Sequence, residues 1–227
     1  MKTSTHARRS TARASTVLVS QRVGPAYGWI VRQRTQRASR IPTSGLPRVT
    51  TSVKGIRRRR PKDLGACARL LRVVFSEGQY PVYWPEAPRA WLADADVLDA
   101  WIAEREREIL GHITISKVGQ DPVSASRWRE VTGRDPSELA GVSRFFVRPR
   151  LRGQGIGAAL LDVAVDGIRE RGLVPVLDVV SASADAIKLY EDRGWLLRAM
   201  YPWGASGDKL RIYYFGLPPE PPPGRQG

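Results

Sequence analysis

Hydrophobic residues recur along this chain with two different periods, and their alternation predicts an α/β domain. Alternating or nearly continuous apolar runs predict strands over residues 51–57, 100–104, 109–115, 139–147, 173–180, 195–201 and 210–215. Apolar positions three and four residues apart predict helices that begin after Pro61 and that cover residues 88–93, 155–171 and 183–193.

The order of these elements constrains the sheet. A short charged turn separates the strands at 100–104 and 109–115, so we expect an antiparallel hairpin. A helix separates the strands at 139–147 and 173–180, which is the order of a parallel βαβ crossover. The run at 173–180 is almost wholly apolar, as in a strand buried on both faces. The sequence therefore predicts one α/β domain with a mixed sheet, in which hairpin strands precede a parallel crossover.

Three stretches show no clear period. Residues 1–50 are basic and rich in Ser and Thr, and we predict that this N-terminal extension is disordered. Residues 118–137 are polar and contain two prolines, which predicts a loop excursion from the sheet. The tail over 218–227 is proline-rich, and we predict disorder there as well. The folded domain is accordingly predicted over residues 51–217.

Charge is distributed unevenly. Residues 1–62 carry sixteen Lys and Arg and no Asp or Glu, whereas the remainder carries twenty-one bases against twenty-two acids. The net charge of +15 thus belongs to the N-terminal quarter, and we expect no nucleic-acid binding except through residues 1–62. The extension itself has three interpretations: a transit peptide, a nucleic-acid-binding arm, or translated upstream sequence without a selected role. We favour the third, because a GC-rich reading frame gives this composition by default.

Cysteine content and hydropathy indicate the compartment. The single Cys67 cannot form an internal disulfide, which is typical of a reducing environment. No run approaches the roughly 20 apolar residues of a membrane helix. We therefore expect a cytoplasmic protein without a membrane partner.

The strand at 139–147 runs into a basic, glycine-rich connector that opens the next helix. Gly153, Gly155 and Gly157 let consecutive backbone N–H groups face one ligand, and the helix start adds unpaired donors and its positive dipole end. A plain turn is one interpretation of this stretch. A dinucleotide site is another, since Gly-x-Gly-x-x-Ala occurs with Asp178 at the distance of a ribose-binding acid. The five residues 148–152 between strand and glycine argue against the dinucleotide site.

On these features the chain resembles the GNAT superfamily of acetyl-CoA-dependent N-acetyltransferases, over roughly residues 52–217. Three motifs carry the resemblance: Val147-Arg148-Pro149 with Arg152-Gly153-Gln154-Gly155-Ile156-Gly157, which fits the acyl-CoA motif Arg/Gln-x-x-Gly-x-Gly/Ala; residues 186–195, a helix ending in Gly194-Trp195; and Gly111-His112 in the hairpin. One strand and one helix separate the first two motifs, as the family requires.

The resemblance implies acetyl-CoA as cosubstrate and assigns its binding residues. The main chain of Phe145, Phe146 and Val147 would bind the pantetheine arm and the acetyl carbonyl. The pyrophosphate would be bound by the backbone N–H groups of one stretch, which consists of Arg152, Gly153, Gln154, Gly155, Ile156, Gly157 and Ala158. Ser183 stands where the family often has Asn, and it would cap the last helix and bond the cofactor.

The resemblance also implies catalytic roles. Tyr190 matches the tyrosine that gives a proton to the leaving thiolate, and a phenol pKa of about 10 is close enough to a thiol's roughly 8.5 for this. The strand at 139–147 contains no acid, so the base of some family members is missing. Glu138 and His112 are predicted as a base or relay, with Asp178 as a third candidate. A water chain or an already neutral amine is the alternative.

The acceptor is predicted from aromatic loop residues, which are Tyr80, Tyr83, Trp84 and Trp203. They suggest a small-molecule or peptide amine with an apolar or planar surface. The predicted function is N-acetyl transfer to a primary amine by direct attack in a ternary complex, without a metal and with a homodimer as one possible assembly. The alternative is a non-catalytic acyl-CoA-binding or regulatory module of the same fold.

Overall fold

Seven strands form one mixed sheet in the part of the chain that the computed structural model describes, residues 55–78, 80–202 and 210–218. The strands are β1 (Ile56–Arg58), β2 (Val97–Arg105), β3 (Glu108–Lys117), β4 (Leu139–Val147), β5 (Val174–Val180), β6 (Leu196–Pro202) and β7 (Arg211–Gly216). The helices are α1 (Leu64–Gly78), α2 (Pro88–Leu92), α3 (Pro122–Thr132), α4 (Ile156–Arg169) and α5 (Ala184–Asp192).

The strands lie in the spatial order β1-β2-β3-β4-β5-β7-β6. Neighbours are antiparallel except β4 and β5, which are parallel and joined through α4. The predicted hairpin is β2–β3, and the predicted crossover is β4–α4–β5. The predicted fold class is therefore confirmed.

Alternating side chains of the sheet build a core on each face. One face packs against α4 through residues such as Leu160 and Leu161, together with Ile113 and Leu177 from the strands. The opposite face packs against α1, where Leu71 and its neighbours meet the other side of β2, β3 and β4. A smaller cluster around Trp128 seats α3 on that same second face. The amphipathic stripes predicted for the helix after Pro61 and for the helix over 155–171 thus form the two layers, as α1 and α4.

The strands β4 and β5 pair over three residues only. The pairs are Leu139 with Val174, Ala140 with Pro175, and Gly141 with Val176. Beyond them β4 continues along β3 as far as Val147, while β5 continues along β7. The backbones of residues 142–147 and 177–180 therefore border a gap, which we call the β4–β5 cleft.

A bulge in β4 accompanies the cleft. Arg144 has a left-handed φ of 46°, and the register against β3 shifts between the pairs of His112 and Thr114. Because a bulge bends its strand and increases the local twist, it turns the end of β4 away from β5.

Two sequence-based predictions of structure were wrong. Residues 118–137 contain α3, whose first N–H groups bond the Asp121 carboxylate and which ends at left-handed Gly133. The strand β5 is not buried on both faces throughout, since Asp178 is exposed. The predictions for residues 1–50, 51–54 and 219–227 lie outside the described residues. Among the described helices, none is long and apolar enough to cross a membrane.

Candidate active site

The N-terminus of α4 presents unused backbone donors at the mouth of the cleft. Gly153 and Gly155 have left-handed φ values of 74° and 82°, and a Cβ on either would meet no atom within 4 Å. Gly155 occupies the N-cap without a capping side chain, and the first helical bond runs from Ala159 N–H to Gly155 O at 3.0 Å. The preceding N–H groups and the helix dipole can therefore hold an anion such as a pyrophosphate. Ile156 is buried and anchors this end of the helix.

Two arginines lie close in sequence to this cradle. Arg148 pairs with Glu108 at 2.6 Å, and its Nε is buried without a hydrogen-bond partner among the described residues. Arg152 is exposed, and its guanidinium lies near Gly78 at the end of α1. Gln154 is exposed as well. The charge of Arg148 is paired with Glu108, whereas exposed Arg152 and Gln154 are available to add charge and donors to a ligand at the cradle.

The main chain of Phe145, Phe146 and Val147 borders the cleft, while their side chains point to the two faces. Phe145 reaches toward α4, where a Cβ on Gly157 would lie 3.4 Å from its ring. Phe146 lies on the opposite face, where its ring stacks on His112 with centroids 5.0 Å apart. The last three residues of β4 are therefore fixed by their side chains, and their backbone lies at the gap.

Tyr190 of α5 enters from the α4 face. Its ring centroid lies 6.4 Å from that of Phe145, 6.1 Å from Trp195 and 6.0 Å from Phe215. Burial raises the pKa of its hydroxyl, and the charges of Tyr80 and Asp178 raise it further. Tyr190 is thus a protonated phenol across the working pH range, and its pKa lies further above that of a thiol than the ordinary phenol value predicts.

Tyr80 and Asp178 approach from the α1 face. Tyr80 is half-buried, burial raises its pKa, and its ring centroid lies 6.2 Å from that of Phe146. Asp178 is exposed on β5, and partial shielding of its carboxylate from water raises its pKa to about 6. The charge of Asp178 also raises the pKa of both tyrosines.

Comparison with models of protein families identifies the family of this chain. The family model described as Acetyltransferase (GNAT) family matches residues 66–195, more than half of the chain. The chain belongs to the GNAT acetyltransferase family. Members of this family are acyltransferases that use acyl-CoA. A search of curated proteins found no match to this acetyltransferase.

Solved structures share the fold of this GNAT protein. An N-acetyltransferase from Staphylococcus aureus Mu50 is 19% identical, with a TM-score of 0.57 over 71% of this chain and 96% of that one. A ribosomal-protein-alanine N-acetyltransferase from Brucella melitensis is 19% identical, with a TM-score of 0.55 over 71% and 97%. The protein yncA from Salmonella typhimurium, solved with its cofactor acetyl-CoA, is 21% identical, with a TM-score of 0.53 over 71% and 91%.

The structure does not place His112 and Glu138 where a base of this GNAT protein would act. His112 is fully buried, and its ring bonds the Arg144 carbonyl at 2.8 Å and Arg59 Nη1 at 2.9 Å. Burial lowers its pKa to about 3, so it stays neutral. Glu138 is exposed at the start of β4, opposite the cradle end, and pairs with Arg134 at 2.9 Å. In this arrangement both side chains are engaged by arginines, and their predicted roles as base or relay stay predictions.

Arg144 is a residue of the site that the sequence reasoning missed. Its buried guanidinium bonds the Trp91 carbonyl at 2.6 Å, Ser116 Oγ at 3.0 Å and Asp96 at 3.0 Å. Its own carbonyl accepts the bond from His112. These contacts hold the bulge and therefore the backbone of Phe145 and Phe146. A charged residue inside the apolar run of β4 was the available signal.

The remaining predicted residues fall in different surroundings. Ser183 is the N-cap of α5, but its side chain makes no capping bond, contrary to the predicted cap. Tyr83 is 68% exposed, whereas Trp84 packs against Phe75 and beneath Arg72 on α1. Trp203 lies outside the described residues. Of the predicted acceptor residues, the structure brings Tyr80 to the cleft. Within the described residues, no group of His, Cys, Asp and Glu side chains could hold a metal ion.

Proposed function

We propose that this GNAT protein transfers the acetyl group of acetyl-CoA to a primary amine, by direct attack in a ternary complex. The observation that carries the proposal is the parting of β4 from β5 beside the uncapped N-terminus of α4. An anion cradle, a gap bordered by backbone and the phenol of Tyr190 adjoin one another there. Pyrophosphate, pantetheine arm and thioester follow one another in acetyl-CoA in the same order.

The residues supply distinct parts of the reaction. The cradle of residues 152–158 would fix the pyrophosphate, and the backbone of residues 145–147 would orient the pantetheine arm and the carbonyl. Attack by the amine forms the N–C bond and breaks the C–S bond, whose electron pair leaves with sulfur. Tyr190 holds the proton that this sulfur needs, and its position beside Phe145 supports this role.

The acceptor would enter from the α1 face, because the opposite face is covered by α4 and its cluster. Val82 and Tyr83 are exposed at 42% and 68% on the loop that brings Tyr80 to the cleft. Their apolar and aromatic surface supports an amine acceptor with an apolar or planar part.

The proposal is tested by binding and by turnover. We expect acetyl-CoA to bind in calorimetry, and free CoA to form with at least one member of a panel of amino acids, polyamines, aminoglycosides and peptides with free N-termini. Tyr190→Phe should lower turnover by about 100-fold or more while acetyl-CoA still binds. Turnover unaffected by Tyr190→Phe would contradict its role as the acid. Binding without turnover for any amine would favour the non-catalytic acyl-CoA-binding module, and failure of both would refute the proposal.

A further inference from the structure

The half-buried guanidinium of Arg127 on α3 stacks on an aromatic ring. Its central carbon lies 3.6 Å from the centroid of the Tyr201 ring of β6. Among the described residues, no Asp or Glu lies within ion-pair distance of Arg127, whereas Arg129 of the same helix pairs with Asp135 at 2.8 Å. The Glu130 carboxylate instead accepts from the Tyr201 hydroxyl at 3.0 Å. Because a partly buried guanidinium binds carboxylates strongly, Arg127 can bind an anion from outside the chain.

Arg127 and Tyr201 lie on the sheet face that also carries α1. Tyr201 is opposite Ile212 of β7, and two residues further along β7 Tyr214 is opposite Asp178 of β5. Opposite residues of paired strands share a face, as do alternate residues of one strand, so Tyr201 and Asp178 point to the same side of the sheet. The rings of Tyr201 and Tyr214 accordingly touch, with centroids 5.6 Å apart. Arg127 is therefore on the side from which the acceptor would enter.

The surface between the cleft and Arg127 is accessible in the part of the chain that the structure describes. Helix α1 packs against β2, β3 and β4, and Trp128 of α3 covers the beginnings of β4 and β5. Further along this face, Asp178 is exposed, while Ile212 and Tyr201 are only partly buried. A ligand that enters the cleft from this side can therefore extend over apolar and aromatic side chains toward Arg127.

The strand register also gives the distance from the cleft to Arg127. Val180 at the end of β5 pairs with Ile212, and Ile212 pairs with Tyr201, so Tyr201 is two strands across from the cleft. Neighbouring strands lie about 4.8 Å apart, which puts Tyr201 roughly 10 Å from the β5 edge of the β4–β5 cleft. An extended peptide advances about 3.3 Å per residue, so its third or fourth side chain would reach Arg127 while its first amine lies in the cleft.

We propose that Arg127 selects the acceptor, by binding an acidic group that lies about 10 Å from the reacting amine. This inference rests on the proposed acetyl transfer. The acceptor class that fits is a peptide with a free N-terminus and with Asp or Glu at its third or fourth position. Its carboxylate would pair with the guanidinium, and the stacked Tyr201 ring would keep the guanidinium plane in place for it.

The test measures kcat and KM with acetyl-CoA and alanine-based hexapeptides that carry Glu, Gln or Lys at the third or fourth position. Wild type should prefer Glu over Gln by about tenfold in kcat/KM, mainly through KM, and added salt should reduce this preference. Arg127→Gln should remove the preference, Arg127→Lys should keep part of it, and Arg127→Glu should favour the Lys peptides. The matched control is Arg129→Gln, which removes an exposed and already paired cation from the same helix and should behave as wild type.

The outcomes separate this inference from the proposed function. If wild type uses the Glu, Gln and Lys peptides equally well, or acetylates other amines but none of these peptides, Arg127 does not select the acceptor and acetyl transfer stands. If Arg127→Gln lowers kcat/KM equally for all the peptides, its role is structural and the inference falls. If wild type binds no acetyl-CoA or acetylates no amine at all, the proposed function fails, and the role of Arg127 fails with it.

Discussion

Replacement of His112 by Gln should change how the stability of the protein depends on pH. The His112 ring is fully buried between Arg59 and the Arg144 carbonyl. A guanidinium can only donate, so Nε2 accepts from Arg59 and Nδ1 donates to Arg144 O. Burial, together with the charges of Arg59 and Arg144, lowers the pKa of the ring to about 3.

The size of the effect follows from this pKa. The unfolded chain binds a proton at His112 near its ordinary pKa of 6.5, whereas the folded protein does not until about pH 3. Stability is therefore intact above pH 6.5 and is lost as the pH falls toward 3. At about 1.4 kcal/mol for each unit, the loss is about 2 kcal/mol at pH 5 and about 5 kcal/mol near pH 3.

The measurement is the free energy of unfolding in urea for wild type and His112→Gln, at about pH 7.5 and about pH 5. The variant should be less stable at the higher pH, because the buried ring and its fitted hydrogen bonds are lost. Since Gln does not titrate, the difference in the free energy of unfolding between wild type and variant should be smaller by about 2 kcal/mol at the lower pH. The difference between the two proteins isolates His112 from Asp178, whose raised pKa has the opposite effect. If the difference in the free energy of unfolding stays constant with pH, His112 is not a neutral ring with a lowered pKa.

Three further substitutions test the cradle and the packing. Gly155→Ala should lower the free energy of unfolding in urea by about 1 kcal/mol and weaken acetyl-CoA binding in calorimetry. Gly133→Ala, at a similar left-handed φ and in equally open space, should lower stability by the same amount without changing the affinity for acetyl-CoA. Equal affinities of the two variants would contradict the cradle. Gly167→Ala would place a Cβ 2.6 Å from the Trp101 ring and should cost about 1–3 kcal/mol, so an unchanged urea midpoint would refute this close packing. Arg144→Met should cost about 3 kcal/mol and lower acetyl-CoA affinity, and a loss of neither would show that the bulge does not depend on its ion pair.

Local patterns were sufficient to predict most helices and strands, because the residues that form each pattern lie within the helix or strand itself. The alternation of β2 and β3, the amphipathic stripe of α4 and the glycines before it predicted the hairpin, the crossover and the cradle. Helix α3 was missed because Trp128 is its single buried residue, so its sequence shows almost no apolar period.

The cleft depends on contacts that no local pattern contains. The bulge at Arg144 is held by Trp91 and Asp96, which are about fifty positions earlier in the chain. The raised pKa of Asp178 likewise depends on shielding from water that arises only in the folded protein. The sequence therefore identifies Asp178 as a carboxylate on a strand that borders the cleft, but it does not show the surroundings that raise its pKa.

The short pairing between β4 and β5 also has a mechanical consequence. Three residue pairs and helix α4 connect a four-stranded ribbon, β1 to β4, with a three-stranded ribbon, β5 to β7. The seam between the ribbons is thus a compliant line in the sheet, and a molecule bound in it would join the two ribbons. Amide hydrogen exchange should accordingly slow across both ribbons when acetyl-CoA is added, well beyond the residues that touch it.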